Sequence, residues 1–260
     1  MSEKIIKNNL GYSGDLFVYQ DKEMFNYSVD TIMFGNFVSL NRNISNILEI
    51  GANNGALSIF VAARDKDIKI DAVEIQKRAV DLANKNVTLN KLENQINVIW
   101  EDFKKYAKDY AILCGTKKAK KYSMIIANPP YYNENYNVKR KTSSKEKLIA
   151  THEIELDLET LISLSAKIIE QKGYLSIVLP MARYIDLIEL LRKYEFEPKR
   201  IQLIYTRVSS MPKFCMVESR YKSGWGTTFE PNLYLHNDDK NDHSYRNEIK
   251  ELYSPKKVRK

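Results

Sequence analysis

The residues best suited to chemistry are Asn128-Pro129-Pro130-Tyr131, which stand directly after an apolar run at 122–127. Proline donates no backbone hydrogen bond and cannot continue a helix, so a strand over that run must leave its sheet at Pro129 and Pro130. Each proline fixes φ, and Pro130 biases Pro129 to extended geometry, so the Asn128 side chain and the Pro129 carbonyl are held as neighbouring acceptors. Such a pair suits a planar NH2 group that must give away both hydrogens, as on adenine, cytosine or glutamine. Accepting both favours the pyramidal nitrogen whose lone pair can attack an electrophile, and Tyr131 offers a face on which a flat substrate can stack. The nucleophile is thereby activated without a general base. His152, His236 and His243 are scattered along the chain and belong to no motif, in keeping with that chemistry.

A second stretch, Glu49-Ile50-Gly51-Ala52-Asn53-Asn54-Gly55, reads as the end of a strand, a glycine turn and the start of a helix. Its small residues let a ligand approach the backbone. The Gly-x-x-x-Gly spacing is not the Gly-x-Gly-x-x-Gly of a dinucleotide cradle, which disfavours an NAD-dependent oxidoreductase. Glu74, followed by Ile75, stands about 20 residues beyond the glycines, where an acidic side chain can accept from both hydroxyls of a ribose. Asp102 is placed to accept from an adenine amino group, and Phe103 to pack on the ring.

The elements that must position these residues alternate. Strands are expected at 44–50, 69–74, 96–100 and 122–127, with helices at 56–64 and 76–90, the latter showing Ala79, Val80, Ala83 and Val87 on one face. Right-handed βαβ crossovers then give a parallel sheet covered on both faces, with ligands at the carboxyl ends of its strands. A helix at 156–171, a strand at 173–179 stopped by Pro180 and a helix at 184–194 follow. A hairpin of 200–205 with 214–221, an edge strand at 229–235 and a short helix at 244–252 complete the pattern. Ahead of the sheet, an apolar helix at 32–40 has Ser28 or Asp30 as its cap. The lysine-rich stretch 103–121 and the polar stretch 133–147 read as irregular excursions. The boundaries expected are a cap segment at 1–43, a catalytic domain at 44–255 and a basic tail at 256–260.

The 260 residues carry a formal charge of +8, which favours an acidic partner such as nucleic acid, and the clusters matter more than the total. Cys114 and Cys215 belong to no disulfide or ligand spacing, so no metal is expected. The start lacks a signal peptide's apolar core, and no apolar run reaches the roughly 18 residues of a membrane span, so the cytoplasm is the expected location. Oligomeric state is left open, with a monomer favoured.

Together these residues resemble the class I S-adenosylmethionine-dependent methyltransferases, and Asn-Pro-Pro-Tyr resembles their amino-methylating branch. More narrowly, Phe25-x-Tyr27-Ser28-x-Asp30-Thr31, Leu48-Glu49-Ile50-Gly51, Ala127-Asn128-Pro129-Pro130-Tyr131-Tyr132, His152-Glu153 and Lys222-Ser223-Gly224 look like the tRNA1(Val) adenine N6-methyltransferases. Those enzymes modify the adenine just 3′ of the anticodon. The resemblance implies a Rossmann-like α/β fold, with a mostly parallel seven-stranded sheet, helices on both faces and an antiparallel C-terminal strand. It implies S-adenosylmethionine as cofactor, with Glu49, Gly51, Ala52, Asn53 and Gly55 around its methionine and ribose, Glu74 and Ile75 at the ribose, and Asp102 and Phe103 at the adenine. Asn128 and Pro129 would meet the target amine, with Pro130 completing the turn and Tyr131 stacking on the base, while Tyr27, Ser28 and Asp30 close over the site. Asn53 and Asn54 depart from the small or acidic residues more usual in this loop. The partner implied is tRNA, its phosphates contacted by Lys117, Lys118, Lys120 and Lys121 and by Lys139, Arg140 and Lys141. The alternatives are a glutamine N5-methyltransferase acting on a release factor, which resembles this chain only after a long helical N-terminal domain, and a non-catalytic RNA-binding module on the same fold. A DNA adenine methyltransferase usually needs a separate recognition domain of about 100 residues, for which the chain has no room.

Overall fold

Apolar strands separated by amphipathic helices assemble into one large sheet. The computed structural model describes residues 5–11, 15–24, 26–129 and 156–258, so Pro130, Tyr131, Lys139, Arg140 and Lys141 lie outside the described residues. The sheet begins with β3 (Asn46–Ile50), β4 (Lys69–Glu74), β5 (Ile96–Trp100) and β6 (Tyr122–Ala127), numbered after an N-terminal hairpin of β1 (Ile5–Asn9) and β2 (Phe17–Asp21). It continues through β7 (Ile169–Pro180), β8 (Phe196–Tyr205) and β9 (Pro212–Tyr221). Across the sheet the order is β5-β4-β3-β6-β7-β9-β8, parallel from β5 to β7, with β9 antiparallel to both its neighbours. Two two-residue pieces, β10 (Thr228–Phe229) and β11 (Leu233–Tyr234), pair with the outer edge of β8. The single edge strand expected at 229–235 is split because Pro231, between them, has no N–H to give the ladder.

Helices α1 (Val29–Phe37), α2 (Ala56–Ala62), α3 (Lys77–Leu89), α4 (Phe103–Gly115), α5 (Leu158–Ile168), α6 (Tyr184–Lys193) and α7 (Asn247–Leu252) surround it. Alternate residues of β3 feed opposite cores: Ile47 joins Ile59, Phe60 and Phe34, whereas Leu48 and Ile50 join Phe103, Leu161 and Ile162. Every residue of β6 is buried, as a central parallel strand requires.

The lysine-rich stretch at 103–121 is not an irregular excursion. Its first part is α4, because Phe103, Tyr106, Ala107 and Tyr110 recur at helical spacing and share a core with Tyr122, while Asp102 caps the helix by accepting from the Lys104 N–H at 2.8 Å. Helix α5 stops at Ile168 and β7 starts at once, with left-handed Lys172 and a register shift between the Tyr122 and Met124 pairings taking up the slack. Helix α1 starts earlier than expected, and Ser28 occupies its N-cap without a side-chain cap bond, its hydroxyl donating to Asp30 instead.

The N-terminal hairpin went unread because its partners are distant in sequence. Asn86 on α3 and Asn90 at its C-cap, one turn apart, act as substitute strand backbone for β2. Asn86 accepts from the Tyr19 N–H at 2.6 Å and donates to the Tyr19 carbonyl at 3.0 Å, and Asn90 repeats the pattern with Phe17 at 3.0 and 2.7 Å. Asn86 also donates to the Asn54 carbonyl at 2.9 Å, tying the glycine turn to the same hairpin.

The far end of α1 is fixed as firmly. Buried Arg64 donates to the Gly35 and Val38 carbonyls at 2.6 and 2.8 Å, and burial lowers its pKa to about 10. Part of the basic tail docks here: the Lys256 N–H donates to Asn36, the Lys256 carbonyl accepts from Arg64, and the Val258 N–H donates to the Arg64 carbonyl. Wholly buried Glu218 on β9 accepts from the Ser39 N–H and hydroxyl at 2.8 and 2.6 Å and from Arg200 at 3.0 Å.

Asn86→Ala strands the Tyr19 backbone groups and the Asn54 carbonyl, and should cost about 3 kcal/mol in urea-unfolding free energy. A change below about 1 kcal/mol would mean that apolar contacts alone hold the hairpin.

Candidate active site

Parallel register brings the ends of four strands to one level. Ile50 pairs with Val73 on one side and Ala127 on the other, and Glu74 pairs with Trp100. Gly51, Glu74, Asp102 and Asn128 therefore follow adjacent strand ends, and two strand spacings, about 10 Å, separate the backbones at Glu74 and Asn128. A ligand gripped at Glu74 must cross the glycine turn to reach Asn128.

The turn is built around one carboxylate. Glu74 is 6% exposed; one of its oxygens accepts from the Asn53 N–H and the other from the Gln76 N–H, both at 2.8 Å. These bonds fix both loops and still leave each oxygen a lone pair for a ribose hydroxyl. Burial pushes the Glu74 pKa up, against the pull of the backbone donors. Gly51, Asn53 and Gly55 all adopt positive φ, at 73°, 49° and 79°. Asparagine tolerates that region, which accounts for the unusual residue at 53, and Asn54 accepts from the Ala56 N–H at 3.3 Å to close the turn. A Cβ added at Gly51 would meet no atom within 4 Å. Open space thus lies over the turn, where a cofactor would rest.

Glu49, 3% exposed just below the turn, accepts from the Ser58 hydroxyl. Burial pushes its pKa up to about 8, the Ser58 bonds pull it down, and nearby Glu74 raises it further. Two buried carboxylates so close together suit a ligand that brings positive charge, as a sulfonium and an ammonium would. The residues present therefore fit S-adenosylmethionine, with Glu74 for its ribose and Gly51 to Gly55 beneath its methionine end. Among the described residues, no group of three or more His, Cys, Asp or Glu is placed to hold a metal ion.

The other expected residues have partners within the protein. Asp102 spends one oxygen on capping α4, and Phe103 is 5% exposed within the core shared with Leu48 and Val73. Ile75 is 37% exposed beside Glu74, and its carbonyl accepts from the Trp100 indole at 3.0 Å. Tyr27 directs its hydroxyl to the Asn9 carbonyl at 2.8 Å, and buried Asp30 takes the Ser28 hydroxyl. Of the N-terminal segment it is Thr31, absent from the expected set, whose side chain meets Asn128: the Asn128 Nδ2 donates to its hydroxyl oxygen at 3.5 Å. Lys117, Lys118, Lys120 and Lys121 are exposed, but they precede β6 and so lie at the amino ends of the strands, about 20 Å of extended chain from Asn128. Nearness in sequence does not make them neighbours of Asn128, because the whole strand intervenes.

Glycine turn, buried acid and amide in this order on this sheet define a class I methyltransferase. The profile of the methyltransferase small domain family matches residues 36–192, and the chain belongs to that family. It is 27% identical over 195 residues to a Flavobacterium psychrophilum protein named tRNA1(Val) (adenine(37)-N6)-methyltransferase, covering 75% of this chain and 76% of that one. A Christiangramia forsetii protein of the same name is 26% identical over 235 residues, covering 90% and 91%. A solved Agrobacterium tumefaciens structure described as a "predicted O-methyltransferase" shares the fold, with a TM-score of 0.65 at 19% identity over 88% of this chain and 97% of that one. No helix among the described residues is long and apolar enough to cross a membrane.

A carboxyl whose pKa is higher in the folded state holds its proton more tightly there, so its contribution is full below the ordinary 4.5 and is lost as pH rises toward about 8. Melting temperature should fall across that window, and Glu49→Gln should flatten part of the fall. Parallel curves for the two proteins would show that the buried carboxyl does not set this dependence.

Proposed function

We propose that this protein is an S-adenosylmethionine-dependent methyltransferase that transfers a methyl group to the exocyclic N6 of adenine in tRNA, in the cytoplasm. The adenine is that just 3′ of the anticodon of tRNA1(Val), as the names of the relatives state for those proteins. The observation that carries the reading is Asn128 at the carboxyl end of β6, one strand from the glycine turn and two from Glu74, inside the family match.

When bound, the cofactor supplies an electrophilic methyl on a sulfonium. Asn128 Oδ1 and the Pro129 carbonyl hold the two N6 hydrogens, which keeps the nitrogen lone pair out of the ring and aimed at that methyl. Glu74 and the turn from Gly51 to Gly55 would hold the cofactor, which would supply the methyl and leave as a neutral thioether that keeps the electron pair of the broken bond. The methylated nitrogen, now strongly acidic, gives one hydrogen to water as a proton. No side chain needs a tuned pKa, and orientation supplies most of the rate. Glu74 holds the ribose hydroxyls, while Tyr131 stacks on the target base. A base in an anticodon loop is stacked only on its neighbours, so turning it into such a site costs less than extracting it from a duplex.

A release-factor glutamine would fit the same two acceptors. The +8 charge favours RNA, as do the names of the relatives. Lys117, Lys118, Lys120 and Lys121 serve as phosphate contacts for a substrate long enough to reach the amino ends of the strands, and Lys139, Arg140 and Lys141 are proposed for the same role.

The test is transfer of labelled methyl to unmodified total tRNA, followed by nucleoside analysis, with a release factor and duplex DNA as parallel acceptors. The expected product is N6-methyladenosine in tRNA, and label confined to the release factor would move the chemistry to glutamine. Asn128→Ala should abolish turnover while leaving cofactor affinity within about twofold; retained turnover would remove the amide from the mechanism. Reversing the charge of the four lysines at 117, 118, 120 and 121 should weaken tRNA binding and make its salt dependence shallower. An unaltered salt slope would assign those lysines to solvent.

A further inference from the structure

An asparagine amide is a flat group that can turn about its side-chain bond, and a hydrogen bond to a fixed neighbour holds its plane. Methyl transfer to an amine needs the acceptor end of Asn128 at the substrate. Turned the other way, the amide would set one NH2 group against another.

Thr31 meets the donor end. It lies 97 positions earlier in the chain, in the first turn of α1, and its hydroxyl oxygen accepts from Asn128 Nδ2 at 3.5 Å. With 5% exposure, Thr31 is shielded from competing water. The buried residues that follow it, Ile32, Met33, Phe34 and Phe37, are apolar, and the polar ones, Asp30 and Thr31, both stand in the first turn. The helix carrying it is held at its far end, where Arg64 gathers the carbonyls of Gly35 and Val38, and its first turn is closed by the Thr31 N–H on the Ser28 carbonyl at 3.0 Å. In between, Gly35 sits so close to Phe60 that a Cβ there would come within 2.6 Å of its ring. The hydroxyl is therefore fixed relative to β6 by a helix that cannot slide.

We infer that Thr31 is a positioning residue for the reaction: by engaging the Asn128 amide at its NH2 group, it holds the amide against rotation at the target amine. The inference rests on the role given to Asn128 under Proposed function. It makes the N-terminal segment part of the catalytic geometry.

Thr31→Val removes the hydroxyl and keeps the shape, and Thr31→Ser keeps the hydroxyl. Turnover and KM on tRNA, cofactor affinity by calorimetry, and the Asn128 side-chain NH2 signals of the cofactor-free protein in a proton–nitrogen correlation spectrum would be compared across wild type and variants. The signals are assigned by their loss in Asn128→Asp. Thr31→Val should lower kcat about ten- to hundredfold with cofactor affinity within about twofold, shift the NH2 signals and speed their exchange with solvent. Thr31→Ser should recover most of the rate and the original signals. Wild-type kcat in Thr31→Val beside an inactive Asn128→Ala would overturn the role of Thr31 alone. So would equal losses with Val and Ser, because the methyl rather than the hydroxyl would then matter. An active Asn128→Ala would overturn both readings.

Discussion

The arrangement at the strand ends depends on a carboxylate taken out of water. A buried charge is costly unless hydrogen-bonded, and Glu74 meets that requirement with backbone N–H groups from two loops, its own and the one after β3. Those bonds prevent either loop from relaxing independently. Asn53 must stand with its N–H toward β4, which sets the left-handed turn, and the turn in turn leaves the space above Gly51 clear. Parallel register then carries the same level across β3 to Asn128 without further adjustment. A single ionisable side chain thus sets the floor of the site and offers its remaining lone pairs to the ligand.

Around that floor the structure uses polar side chains in place of backbone. Asn86 and Asn90 stand in for a missing strand beside β2, and Arg64 collects the carbonyls that α1 leaves without helical partners. Glu218 holds the chain beyond α1 in the opposite sense, by accepting from the Ser39 N–H and hydroxyl. The N-terminal segment is thereby fastened to α3 at the hairpin and to α2 and β9 beyond α1. The first turn of α1 lies between these anchors and reaches Asn128.

Strands β4, β5 and β6 run to the residues expected from sequence, because each is a short apolar run bounded by polar residues and its neighbours repeat the βα alternation. The strand-end positions of Glu74 and Asn128 follow from the same pattern. What escaped reading depends on distance along the chain or on masking. The hairpin is stabilised through residues 67 and 73 positions away, and the partner of Asn128 is 97 positions away, separations on which local periodicity carries no information. In α4 the lysines obscure an apolar stripe of Phe103, Tyr106, Ala107 and Tyr110 that declares itself only once Tyr122 is in place to receive it. The lysines at 117, 118, 120 and 121 are near Asn128 in sequence only, because a strand separates its two ends in space while keeping them close along the chain.

The docking of residues 256–258 onto α1 and α2 has a bearing on how the protein is made. Helix α1 is synthesised early, yet Asn36 is joined to Leu252 and Lys256, and Ser39 to Glu218, all of which emerge from the ribosome much later. A nascent chain can form the parallel half of the sheet, including the Glu74 turn, well before α1 has its final anchors. During synthesis the strands that carry Glu74 and Asn128 are therefore complete before the anchors that fix α1 beside them.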